Sequence, residues 1–460
     1  MSAMTPTIFR AYDVRGTYPD QLNRGVVEAL GQAIGTYAKQ QGQSTVVTAR
    51  DGRLSGPDLQ DALNQGLIQA GIDVIDVGMV PTPVLYFAAL TLGTGSGVMV
   101  TGSHNPPDYN GLKMMIGGHT LYGEDITGLY DAIEASQLVE GEGSISEADA
   151  LTPYLTQIIA DIHLDRPLKV AIDCGNGVAS VCAEQLFKQL GCEVFPLFTD
   201  VDGTFPNHHP DPSKPKNLVD VIAAVKTQHC DVGLAFDGDG DRVGVITERG
   251  GPIFADRLMM LLSEDVLGRN AGATIIYDVK CSRHLGPVIE RAGGEPLMWK
   301  TGHSLVKAKM KETGALLAGE MSGHIFFKER WLGFDDGLYT AARLLEIFAK
   351  SDQSVSKLFD AIPDDVSTPE LNIEVPDTEK FAIVERVASI IKAEGLPLST
   401  IDGVRVDLDS GWGLIRCSNT TPNLVLRFEA ESTEALETIQ STMLNALKKA
   451  EPTLELESLC

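Results

Sequence analysis

Positive charge is scarce in this chain. Among 460 residues, 37 Lys and Arg face 63 Asp and Glu, a net charge of −26. So acidic a surface repels a phosphate backbone and excludes nucleic-acid binding through a broad basic face. A small anion could be held only by local Arg, Lys or metal acting against the mean field. Long apolar runs are missing too. No stretch approaches the roughly 18 residues of a membrane span, and MSAMTPTIFR has no apolar leader core, so neither membrane insertion nor a secretory leader is expected. Paired cysteines are absent: the seven (174, 182, 192, 230, 281, 417, 460) are odd in number and form no CxxC. That argues against a zinc site or a disulfide framework and predicts reduced thiols in a cytoplasmic protein. With 43% hydrophobic and 22% charged residues, disorder and collagen-like sequence are also excluded.

What the chain does have is alternation. Short β-branched runs and longer helix-periodic stretches succeed one another, as βαβ units do. STVVTARDGRLSG (44–56), KVAIDCGNGVAS (169–180) and TIIYDVKCSRHL (274–285) each run from an apolar strand through an Asp into a polar turn and then a helix. Asp51, Asp173 and Asp278 therefore mark three similar α/β units. Periodicity lapses in GEGSISEADALTP (141–153), TERGGP (247–252) and IPDDVSTPE (362–370). The tail beyond shows strands LNIEV, VRVDL, WGLIRC and LVLRFEA and a helix over about 432–449. The expected fold class is α/β: three related mixed-sheet α/β domains (1–148, 149–251, 252–363) and a C-terminal α+β domain (364–460) around a central cleft, where ligand sites concentrate.

Four loops carry chemistry. In VMVTGSHNPPDYNGLKMM (98–115), a strand delivers Ser103 into a turn that Pro106 and Pro107 keep from becoming helix. A displayed hydroxyl with His104 beside it and Lys113 ten residues on suits a nucleophile or phosphoryl carrier. In VGLAFDGDGDRVGVIT (232–247), Asp237, Asp239 and Asp241 alternate with glycine, with Arg242 as their only basic neighbour. Three carboxylates so close repel unless a cation neutralises them, and oxygen ligands suit Mg²⁺ or Ca²⁺. An EF-hand is excluded, because Arg242 stands where the turn needs Gly and both flanks read as strands. In LLAGEMSGHIFF (316–327), Glu320, Ser322 and His324 alternate. An extended segment would point all three one way, toward the hydroxyls of a sugar. In WGLIRCSNTTPNLVLRFEA (412–430), Arg416, Ser418, Asn419, Thr420 and Thr421 cluster five donors between two strands, a phosphate cradle in an otherwise acidic chain.

Together these loops describe phosphoryl transfer on a phosphosugar. FRAYDVRG (9–16), TGSHNPPDYNGLK (101–113), DGDGDR (237–242), WKTGHS (299–304), GEMSGH (319–324) and RCSNTTPNLVLRFEA (416–430) closely resemble the α-D-phosphohexomutase superfamily, in its bacterial phosphomannomutase/phosphoglucomutase branch. The resemblance implies an isomerase that interconverts hexose 1-phosphate and hexose 6-phosphate, of mannose and glucose, through a phosphoserine enzyme. It implies Ser103 as the phosphoserine, and one Mg²⁺ on Asp237, Asp239, Asp241 and a phosphoserine oxygen of Ser103. It further implies Lys113 and His303 as proton carriers, and Arg15 and Arg242 on the phosphoserine side. Substrate contacts would come from Tyr12, Lys280, His303, Glu320, Ser322 and His324, and the distal phosphate from Arg416, Ser418, Asn419 and Thr420. Glucose 1,6-bisphosphate would be both intermediate and activator, and the partners small phosphosugars, with no nucleic acid or membrane, for a monomeric cytoplasmic enzyme. Lys113 is expected to be a base whose pKa neighbouring Arg, metal charge and burial lower. Cys417 departs from the pattern, which has a small residue such as Ala there.

Three other readings compete. A phosphatase would use the same serine and metal but give the phosphoryl group to water. A non-catalytic sugar-phosphate receptor would have lost Ser103 or the Asp loop, and both are present. Within the mutases, a phosphoglucosamine mutase is the alternative.

Overall fold

Two antiparallel-edged parallel sheets carry roughly the first half of the chain. The structure, a computed structural model, describes residues 4–419 and 421–456. These gather into two units: residues up to Leu258 with His303–Asp360, and Met259–Gly302 with residues from Ala361 onward.

In the first unit, strand Thr45–Arg50 runs parallel to Asp73–Met79 and Gly97–Val100, while Tyr109–Ile116 turns back antiparallel and pairs with Val14–Thr17. Helix Arg24–Gln40 presents Val26, Val27, Leu30, Ala33 and Ile34 at helical spacing to the core, and Asn23 caps it by accepting from Val26 N. It lies close against Gly56–Gln69 because both carry glycine at the crossing; a Cβ on Gly66 would stand 2.0 Å from Glu28 O. The next sheet repeats the plan: Lys169–Asp173 runs parallel to Glu193–Leu197 and Val232–Phe236, and Val243–Thr247 returns antiparallel. Of the expected breaks, the first polar stretch is in part structured, and TERGGP is a turn as expected. Ile145–Glu147 in the first polar stretch adds a parallel edge to Asp73–Met79, and Pro252–Ile253 pairs with Val243–Thr247, so TERGGP is the turn of a hairpin. In the first case backbone pairing at an open sheet edge outweighs polar composition. Ile325–Phe327 pairs antiparallel with Leu317–Gly319.

In the second unit, Thr274–Asp278 pairs in parallel with Glu295–Trp299. The tail forms an antiparallel sheet in which Asn423–Ala430 lies between Gly411–Cys417 and the short strands Val366–Ser367 and Leu371–Glu374. Helices Lys380–Ala393 and Thr433–Ala450 cover it with Ile383, Val387, Ile391, Ile439, Met443 and Leu447.

The threefold internal similarity is visible atom by atom. At the end of each central strand the buried Asp accepts the N–H two residues on: Arg53 N to Asp51 at 3.0 Å, Gly175 N to Asp173 at 2.9 Å, Lys280 N to Asp278 at 3.3 Å. The carboxylate turns the chain out of the sheet and into the turn that follows.

Candidate functional site

Ser103 is not displayed on the surface, as its turn suggested, but is 1% exposed. Gly238 of the Asp loop lies directly over it; a Cβ there would come within 2.3 Å of Ser103 O. Its backbone has φ +50°, a conformation unusual for a residue with a side chain, and Thr101 Oγ1 holds its N–H at 2.8 Å. Arg15 donates to Gly102 O and Asn105 Oδ1, both at 3.0 Å, and is paired with Asp13. His104 Nδ1 lies 3.2 Å from Ser103 Oγ and 2.7 Å from Arg242 Nη2. Burial, then Arg242 and Arg15, keep that imidazole neutral by pushing its pKa well down.

The three aspartates form the tip of the hairpin between Val232–Phe236 and Val243–Thr247, flanked by strands as required for rejecting an EF-hand. Ser103 Oγ lies 3.4 Å from Asp237 Oδ2. One ligand oxygen from each Asp lies within 4.8 Å of the others, and all three side chains are wholly buried. Asp239 Oδ1 accepts no hydrogen bond despite its burial. Such an unfilled carboxylate oxygen is costly unless a cation takes it, so the donor set fits a hard metal ion. Arg242 is not the only basic partner. Lys113 Nζ donates to Asp239 Oδ2 at 2.7 Å and to Asp241 Oδ2, and Thr82 Oγ1 reaches Asp239 Oδ2 at 2.6 Å. The expected lowering of the Lys113 pKa is thereby reversed: burial lowers it, but Asp239 and Asp241 together raise it above its ordinary value. Burial and the other two carboxylates push Asp237 well up.

His303 begins helix His303–Thr313, and its Nε2 is buried with no hydrogen-bond partner. Burial, then Lys307 and Lys113, hold the ring neutral. Its Nδ1 lies 3.9 Å from Asp335 Oδ2, and Tyr12 meets the ring edge-on at 5.4 Å. Glu320, Ser322 and His324 do come together, but through a turn rather than an extended strand. Gly323 takes φ +101° and its N–H closes onto Glu320 O at 3.0 Å. The fold-back places His324 Nδ1 2.9 Å from Glu320 Oε2 and 3.1 Å from Ser322 Oγ. Burial and Arg242 press the His324 pKa down, yet Asp241 and Glu320 outweigh them and bring it up to about 9.

Lys280, Arg416, Ser418 and Asn419 belong to the second unit, and Thr420 lies outside the described residues. Lys280 Nζ pairs with Glu370 at 3.1 Å, and Arg416 Nε with Asp402 at 3.0 Å. Lys380 Nζ donates to Ser418 O at 2.7 Å and to Thr421 O at 3.2 Å, stiffening the cradle loop. Sequence reasoning missed Thr82, Arg53, Lys307, Asp335, Lys380 and Asp402. Only the paired carboxylates of GFDDGLY (333–339) gave any signal, because the others become neighbours through tertiary structure alone.

A buried hydroxyl beside a carboxylate hairpin whose donor set fits a hard metal ion, with a neutral imidazole and buried cations around it, is an arrangement suited to phosphoryl transfer. Comparisons narrow the class. Residues 6–140, 152–251 and 254–366 match the phosphoglucomutase/phosphomannomutase alpha/beta/alpha domains I, II and III, and 370–446 match its C-terminal domain. A phosphomannomutase/phosphoglucomutase of Pseudomonas aeruginosa is 56% identical over 98% of this chain and 99% of its own. A phosphoglucomutase of Neisseria meningitidis is 52% identical over 99% of each. The crystal structure of a phosphoglucomutase/phosphomannomutase family protein from Burkholderia thailandensis superposes with TM-score 0.93 at 53% identity, covering 98% of this chain and 99% of that one. The chain belongs to the phosphoglucomutase/phosphomannomutase family.

Proposed function

We propose that this phosphohexomutase, which interconverts hexose 1-phosphates and hexose 6-phosphates, carries the transferred phosphoryl group on Ser103. The observation that supports it most is the approach of Ser103 Oγ to Asp237 Oδ2 at 3.4 Å, which joins a hydroxyl and a carboxylate hairpin from opposite sides of a domain boundary in sequence. Asp237, Asp239, Asp241 and a phosphoserine oxygen would hold one Mg²⁺, which when bound offsets charge on the transferring group.

The chain's own residues do the rest. Arg15 and Arg242 hold the phosphoryl oxygens. His303 is neutral and its Nε2 is unsatisfied, so it takes the proton of the attacking sugar hydroxyl. The O–P bond to the sugar forms as the Ser103 Oγ–P bond breaks, and Oγ recovers a proton, for which charged Lys113 is the donor. The hexose 1,6-bisphosphate then turns end for end and returns its other phosphoryl group to Ser103. Tyr12, Lys280, Glu320, Ser322 and His324 contact the sugar in both orientations, while Arg416, Ser418, Asn419 and Thr420 hold the phosphate that is not reacting. Glu320 and Ser322 suit O3 and O4, and no group here is assigned to O2. Without a buried partner for O2 the epimers are hard to tell apart, so kcat/KM for glucose 1-phosphate and mannose 1-phosphate should agree within about tenfold.

The same reading makes the enzyme a monomer of the cytoplasm built of domains 1–148, 149–251, 252–363 and 364–460. Six buried thiols and no described helix long and apolar enough to cross a membrane are compatible with it. Intact-mass and peptide analysis should find phosphate on Ser103, and a trace of glucose 1,6-bisphosphate should reactivate dephosphorylated enzyme. Ser103→Ala should lose at least about 10³-fold in kcat. Turnover by that variant at the wild-type rate refutes the reading, and release of free phosphate at turnover rates supports a phosphatase instead.

A further inference from the structure

Behind the serine loop lies a side chain with no place in the chemistry so far. Arg53 has a fully buried side chain, and its guanidinium is spent on the backbone of one loop. Nη2 donates to Ser103 O at 2.8 Å and Asn105 O at 2.6 Å; Nη1 donates to Tyr109 O at 2.9 Å and to Pro106 O. Its counter-ion Asp51, 3.2 Å from Nε, grips the same loop, accepting from Thr101 Oγ1 at 2.8 Å and Gly102 N at 3.2 Å. Gly102 is needed for this approach, since a Cβ there would fall 2.3 Å from Arg53 Nε. From the other side the Phe205 ring covers the guanidinium at 5.2 Å, and a Cβ on Gly203 would stand 2.8 Å from Arg53 Cα.

We infer that Arg53 is a positioning residue for phosphoryl transfer: its guanidinium clamps residues 103–109 by four carbonyls and holds Ser103 Oγ toward the carboxylate hairpin. The inference rests on the phosphoserine reading above. Four acceptors spread over seven residues require a planar donor with several N–H groups, which lysine does not have. The clamp also explains how Ser103 keeps φ +50°, a conformation that persists only where its surroundings over-determine it. The other two repeats retain the Asp turn but carry Gly175 and Lys280 at the position of Arg53, while the hydroxyl on the carboxylate recurs as Thr301 Oγ1 on Asp278 at 2.9 Å. Only the repeat with the serine has an arginine there.

The test is single-turnover transfer of phosphate from phosphorylated full-length enzyme to glucose 1-phosphate, alongside steady-state kcat and KM. Arg53→Ala and Arg53→Lys should each slow transfer and kcat by about thirtyfold or more, since a small misplacement of a nucleophile is that costly. KM should stay within threefold, because the sugar contacts are elsewhere. Added guanidinium ion should restore Arg53→Ala at least fivefold, whereas sodium chloride or urea at the same concentration should not. Should Arg53→Ala fail to fold, Arg53→Lys and Phe205→Leu, which uncovers the guanidinium, carry the test, with Phe205→Leu losing three- to tenfold in transfer alone. Transfer within threefold of wild type in the folded variants, or a loss confined to KM, overturns the clamp. If wild-type enzyme acquires no phosphate on Ser103, the phosphoserine reading falls and the clamp with it; phosphorylated wild type with unimpaired Arg53 variants removes the clamp alone.

Discussion

The two units treat their buried cations differently. In the first, Lys113 is bonded to Asp239 and Asp241, groups that themselves belong to the proposed site, and the three side chains are 3%, 0% and 0% exposed. In the second, Lys280 and Arg416 are bonded to Glu370 and Asp402, which no step of the chemistry uses and which are 33% and 16% exposed. The contrast separates preorganisation from exchange. Charges that pair within the first unit are already desolvated and in place, so they favour the transition state at little further cost. If Arg416 takes the distal phosphate as proposed, that phosphate must replace one carboxylate partner by another anion, and only the difference would appear as binding. The paired cation of the first unit should therefore govern kcat, and those of the second KM.

The sharpest way to break that contrast is Lys113→Met. It strips the buried cation from two fully buried carboxylates and should cost about 10³-fold in kcat, the scale of a lost electrostatic stabiliser, with KM nearly unchanged. It should also make folding depend on metal. Mg²⁺ should raise the melting temperature of the variant more than that of wild type, because the ion then replaces the charge that Lys113 supplied to Asp239 and Asp241, which His324 and Arg242 offset only in part. For the wild type, exhaustive chelation should abolish turnover and leave the fold intact; activity that survives it would remove metal from the site. A fall in kcat/KM carried by KM alone would contradict the assignment of Lys113 to chemistry.

Next in size is Arg416→Ala. A charge-assisted hydrogen bond to phosphate is worth about 1.5–3 kcal/mol, so KM for hexose 1-phosphates should rise roughly ten- to hundredfold while kcat changes little. Glu370→Gln should do less, because a partly exposed ion pair contributes about 0–1 kcal/mol. Steady-state kinetics should show a KM change below about fivefold and no change in kcat. If instead Glu370→Gln lowers kcat tenfold, Lys280 is held in a catalytic geometry and the division between the units fails.

The contrast also tracks what could be read from the chain alone. The loops proposed to bear reacting groups stood out where residue types are crowded within a few positions, as in DGDGDR and RCSNTTP, whereas GEMSGH gained weight only beside the others. The Asp turns were legible as a repeat because each sits at a strand end, where one side-chain acceptor fixes the exit. What stayed hidden were partners defined only by folding. Lys113 lies 126 residues before Asp239, and without that pairing its pKa shift was expected in the wrong direction. Helix Lys380–Ala393 went unnoticed beside the strands it covers, and with it Lys380, which donates to Ser418 O from 38 residues away.

The smallest predicted effect tests whether cation pairing is what keeps carboxylates of the first unit ionised. Asp336 is the counter-case. It is 1% exposed and is met by Tyr154 Oη at 2.8 Å, Trp331 Nε1 at 3.1 Å and Tyr339 N at 2.9 Å, neutral donors all. Burial outweighs those hydrogen bonds and brings its pKa up to about 7, whereas Lys113 draws Asp239 and Asp241 below the usual carboxylate range. The sign follows from linkage. A carboxyl whose pKa is higher in the folded chain than in the unfolded one, near 3.9, binds its proton more tightly when folded. Its stabilising contribution is complete below about pH 4 and is lost as pH rises toward 7. Asp336→Asn accepts the same helix-capping bond from Tyr339 N but does not titrate. Melting curves of both proteins between pH 5 and pH 8 should therefore converge as pH rises, the advantage of the wild type shrinking by a few °C, on the order of 2–4 °C per kcal/mol for a unit of this size. Parallel curves would show that the three donors alone hold Asp336 ionised, and that Asp239 and Asp241 owe less to Lys113 than the contrast requires.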